Sequence, residues 1–124
     1  MSERILIVGA GAVGGYVGGY FARAGRDVTL VDPWPAHVDH MQARGLRLEG
    51  MTEAECFSTE VRAIHLTDMQ ALAREQPVDI AFVCVKSYDT AWAATLAGGY
   101  LAPDGFVVSL QNGINEDAVA GAVG

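Results

Sequence analysis

The sequence predicts an α/β protein built on a doubly wound, mostly parallel sheet. Three observations carry that expectation. Apolar runs with little polar alternation recur at residues 4–8, 27–31, 79–85 and 106–110. Such runs suit parallel strands buried on both faces. Helix-like stretches separate the runs, several of them stopping at glycine. The first run leads straight into Gly9-Ala10-Gly11-Ala12-Val13-Gly14. That glycine spacing marks a strand turning sharply into a helix around the pyrophosphate of a dinucleotide.

Within this loop each glycine has its own task. Gly9 allows the tight turn. A Cβ at Gly11 would block the approach of backbone to phosphate. Gly14 lets the helix pack close to the strand. Ala10, Ala12 and Val13 complete the cradle. The first helical turn offers unpaired N–H groups and the positive end of its dipole to the anion. The helix spans residues 12–24 and stops at Gly25. Gly14, Gly18 and Ala22 recur every four residues and form a smooth stripe, expected against the sheet or the cofactor. Gly15 and Gly19 also lie in the helix, each at a cost of roughly 1 kcal/mol relative to alanine. The second strand, residues 27–31, closes with Asp32, 18 residues after Gly14. An acid at this distance accepts hydrogen bonds from the adenosine ribose. Together these features define a Rossmann-type unit.

Pro33 and Pro35 flank Trp34 and start a helix running to about Arg44. Residues 46–49 alternate like a half-exposed strand. A second run, residues 56–64, alternates imperfectly. The two form an expected antiparallel hairpin inserted into the αβ rhythm. Residues 69–75 read as a short helix. The apolar strand 79–85 then exits through Lys86-Ser87. Ser87 can cap a helix over residues 88–97. Strand 106–110 exits through Gln111-Asn112-Gly113, and Glu116 and Asp117 open a last helix. In a doubly wound sheet the ligand lies beyond the carboxyl ends of the strands. The glycine loop, Asp32, Lys86 and Asn112 all fall there. Each has a plainer reading: a solvated strand-end charge for Lys86, a hairpin turn for Asn112-Gly113 and an exposed loop acid for Asp32.

At 124 residues the chain is one domain with room for a core. A net charge of −7 argues against nucleic acid or an anionic membrane as partner. Residues 5–22 carry no charge, but six of the 18 are glycine, a poor lipid-spanning helix. No secretory signal pattern is present. Cys56 and Cys84 read as free thiols of a reducing cytoplasm. His37 and His40 read as surface residues and His65 as a loop residue. No metal-ligand pattern stands out. Trp34 reads as packing at a helix start, with adenine stacking as the alternative. Tyr16 and Tyr20 read as helix packing, with the cofactor cleft as theirs.

Three segments together resemble the ketopantoate reductase (2-dehydropantoate 2-reductase) family: ILIVGAGAVGGYVGGYFARAGRDVTLVD, CVKSYDT and SLQNGINE. The resemblance implies that residues 1–124 are an NAD(P)-binding domain, cut off before a helical catalytic domain. The reaction it implies is hydride transfer from a nicotinamide cofactor to a 2-keto acid, 2-dehydropantoate or a related one. It places Gly9, Gly11 and Gly14 on the pyrophosphate, and Lys86 and Asn112 along the cofactor beside the substrate. The general-acid lysine belongs to the further domain, so no catalytic residue is expected here, and this chain alone is expected to be inactive. A homodimer is implied only for the full-length protein. Asp32 departs from the polar or basic residue that NADPH-using members carry near this position, and no lysine or arginine occurs from 33 to 43. A carboxylate about 4 Å from a phosphate charge repels it by about 4 kcal/mol at an effective dielectric near 20, less when hydrated. The expected cofactor is therefore NAD rather than NADP. The alternatives are a stand-alone dinucleotide-binding or sensing module, or the first domain of another NAD- or FAD-dependent enzyme.

Overall fold

The structure, a computed structural model, describes residues 3–10, 12–48, 52, 56–84 and 90–109. Five parallel strands form the main sheet in the order β5-β2-β1-β6-β7. They are β1 (Arg4–Val8), β2 (Asp27–Asp32), β5 (Arg62–His65), β6 (Val78–Val83) and β7 (Leu101–Ser109). The chain winds outward from β1 through β2 to β5, then returns to the other side of β1 through β6 to β7. That reversal makes the β1/β6 boundary a topological switch point.

Strand alternation sorts the core into two layers. Ile5, Ile7, Val28 and Leu30 meet α1 (Ala12–Arg23) and α2 (Pro35–Arg44) on one face. Leu6, Val8, Ala81 and Val83 meet α3 (Thr90–Gly98) and a 3-10 segment (Leu66–Arg74) on the other. The Rossmann-type expectation and its inserted hairpin are both present.

The hairpin pairs β3 (Leu46–Leu48) with β4 (Phe57–Thr59) antiparallel. It lies over the outer face of α1, so two sheets grip one helix. A Cβ on Gly18 would lie 2.9 Å from Leu30 Cδ2 in the main sheet. One on Gly19 would lie 2.6 Å from Leu48 Cδ1 in the hairpin. The stripe of small residues therefore faces the sheet, and its neighbour faces the hairpin.

Several boundaries differ from expectation. The 56–64 run is two strands, of which only β4 joins the hairpin. β5 pairs with β2, giving a partner to backbone groups on a strand whose side chains are buried. The helix expected at 69–75 is a 3-10 segment starting at Leu66. At three residues per turn, Leu66, Met69 and Leu72 stack on one face, and all three join the core. β7 begins at Leu101 rather than 106, with a register irregularity opposite residues 78–80. Pro103 lacks an N–H, which suits an irregular edge strand. β6 starts at Val78, one residue earlier than read, and ends at Val83, with residue 85 of the expected run outside the described residues. His65 ends β5 instead of lying in a loop, and its Nε2 is 2.9 Å from Asp39 Oδ1. The final helix expected from Glu116 lies outside the described residues.

Candidate functional site

The site begins where β1 stops. Gly9 adopts φ +95°, a left-handed conformation that strains any side chain. Its N–H donates to Val31 O at 2.7 Å, which ties the turn to β2. Across the switch point, Cys84 N–H donates to Val8 O at 2.9 Å. A Cβ on Gly14 would lie 1.8 Å from Gly9 O and 3.1 Å from the Cys84 Cβ. The turn, the first turns of α1 and the end of β6 thus meet at backbone distance. Burial pushes the Cys84 thiol up to about 11, so it stays protonated near neutral pH.

Asp32 stands at the carboxyl end of β2, partly buried. Its Oδ1 accepts the Ala10 N–H at 2.8 Å and its Oδ2 accepts the Trp34 N–H at 3.0 Å. A carboxylate has about four lone-pair sites, so hydroxyl donors can still be accommodated. Its orientation is set by the very loop that would hold a phosphate. Trp34 does not pack at the helix start as expected: it is 68% exposed. Its side chain stands largely in solvent, and Pro35 opens α2 directly after it. The Tyr16 and Tyr20 rings meet at a tilt (4.8 Å between centroids), and Tyr20 meets Phe57 of the hairpin at 5.0 Å. Tyr20 thus packs against β4, while Tyr16 is 54% exposed.

Of the predicted site residues, Gly9, Ala10, Gly14 and Asp32 come together here, and Ala12 and Val13 open α1. Gly11, Lys86 and Asn112 lie outside the described residues. Sequence reading missed His37, whose Nε2 is 2.6 Å from Ala10 O. Only its place in the first turn after Pro35, five residues past Asp32, could have hinted at that contact. Among the described residues no cluster of three or more His, Cys, Asp or Glu could hold a metal, and no helix is long and apolar enough to cross a membrane.

Residues 5–124 match the family model described as ketopantoate reductase PanE/ApbA. The chain belongs to the ketopantoate reductase family. A 2-dehydropantoate 2-reductase from Pyrococcus horikoshii is 36% identical over 117 residues, 94% of this chain and 35% of that protein. A ketopantoate reductase family structure from Ralstonia eutropha is 42% identical, with TM-score 0.80, covering 96% of this chain and 38% of that one. Glycerol-3-phosphate dehydrogenase from Coxiella burnetii shares the fold at 22% identity and TM-score 0.73, with 98% and 38% covered. The chain thus spans little more than a third of the two ketopantoate reductase family members.

Proposed function

We propose that this chain is the cofactor-binding part of an oxidoreductase that moves hydride between a nicotinamide dinucleotide and a 2-keto acid, 2-dehydropantoate or a close relative. The observation that carries the reading is Asp32, fixed through Ala10 to the glycine turn at the switch point. The residues fit a dinucleotide. Gly9 permits the left-handed turn and Gly14 lets α1 start directly against it, which brings the N-terminus of α1 to the end of β1, and Asp32 retains acceptor capacity for ribose hydroxyls. Gly11 would extend the phosphate cradle, with Lys86 and Asn112 along the nicotinamide side. When bound, the cofactor supplies the hydride. The chain's own residues bind and orient it. The acid that protonates the developing alkoxide belongs, on this reading, to a helical domain beyond these residues.

The same carboxylate selects the cofactor. A 2′-phosphate would meet the charge of Asp32 with no lysine or arginine between residues 33 and 43 to offset it. NADH should bind at least about tenfold more tightly than NADPH, about a third of that ~4 kcal/mol repulsion. Calorimetric titration of both cofactors checks this. Equal or tighter binding of NADPH sinks the preference, and binding of neither sinks the whole reading.

A further inference from the structure

Ala10 is held from two directions. Its N–H reaches Asp32 Oδ1 at 2.8 Å, and its carbonyl receives His37 Nε2 at 2.6 Å. Asp32 ends β2 and His37 lies in the first turn of α2, so one crossover grips both polar groups of one loop residue. A carbonyl can only accept, so Nε2 carries the hydrogen; the Nε2–H tautomer and the protonated ring both supply it. His37 is half-buried, and the helix that carries it is well seated, because Val38 and Met41 are 0% and 1% exposed.

This contact matters to an anion. A carbonyl facing a phosphate repels it, whereas N–H groups attract it. We infer that His37 is a positioning residue for the pyrophosphate, holding the Ala10 carbonyl back so that it does not oppose the donors of the first turn of α1. The inference rests on the dinucleotide reading above. It makes α2 part of the phosphate site, although no α2 side chain need touch the ligand.

The test compares wild type with His37→Leu, His37→Asn and His37→Gln in the natural full-length protein. Binding of NADH and ADP-ribose is measured by calorimetry, and thermal midpoints are recorded. Leu fills the space without a donor, Asn is too short to reach, and Gln carries an N–H to about the position of Nε2. Loss of one hydrogen bond predicts about fivefold weaker binding of both ligands by Leu and Asn, with Gln within about twofold of wild type. Rescue by Gln separates the bond from simple space filling. Wild-type affinity in the Leu and Asn variants overturns the inference, as does an equal loss in Gln. Failure of the wild-type protein to bind either ligand overturns the parent reading instead, and shows before any variant is compared.

Discussion

A methyl group on Gly14 would lie 1.8 Å from the Gly9 carbonyl oxygen, and that turn cannot yield because its N–H is tied to Val31. Gly14→Ala should therefore destabilise the protein by at least about 1–3 kcal/mol in urea denaturation and weaken NADH binding in the same preparation. Asp32 has a double load, since it satisfies two backbone N–H groups and sets cofactor choice. Asp32→Asn leaves one oxygen for two donors and removes the charge. It should cost about 1–2 kcal/mol of stability and raise the NADPH-to-NADH affinity ratio, read by the same pair of titrations. A changed stability with an unchanged ratio would separate the two loads and refute the second.

Elements were legible where their cause is local. The turn at Gly9, the extent of α1 and the start of α2 at Pro35 depend on residue type within a few positions. The split of 56–64 was not legible, because alternation marks a strand without choosing its partner, and β5 answers to β2 over 30 residues away. The contact of His37 with Ala10 was hidden for the same reason. Strand-to-strand ties also govern acid behaviour at the other end of the sheet. Glu75 receives Arg62 through two bonds of 2.7 and 2.6 Å and also pairs with Arg4 at the start of β1. The hydrogen bonds from Arg62, then the one from Arg4, hold its carboxyl down at about 2, below the ordinary 4.5. A lowered value in the folded state favours folding when the group is ionised. That contribution is complete above about 4.5 and fades as pH falls toward 2. Glu75→Gln should cost at most about 1 kcal/mol at neutral pH, since the pair is near the surface. It should also flatten the stability profile across that acid window, as followed by denaturation at stepped pH.

For the molecule as a whole, the winding outward from β1 and back decides where ligands can sit. The doubly wound order was legible because strand and helix patterns alternate, and the switch point then follows from topology. Lys86 and Asn112, which sequence and resemblance place after the sixth and seventh strands, lie outside the described residues. The division of labour proposed above gives a direct experiment. The natural full-length protein should oxidise NADH when 2-dehydropantoate or a related 2-keto acid is added. Residues 1–124 expressed alone should bind NADH and oxidise none. Turnover by the short chain, or a natural product whose intact mass is near 13.1 kDa, would refute that division.

The grip of two sheets on α1 also bears on its lifetime. Four glycines at 14, 15, 18 and 19 make this helix a poor one by propensity, unable to persist as a free peptide. Its order is borrowed from Leu30 on one side and Leu46 and Leu48 on the other. Its amides should then exchange with deuterated solvent nearly as slowly as those of β1, opening only when the sheet itself opens. A segment weak by composition would be among the last to melt, and the anion-facing end of the helix would keep its aim through every smaller fluctuation.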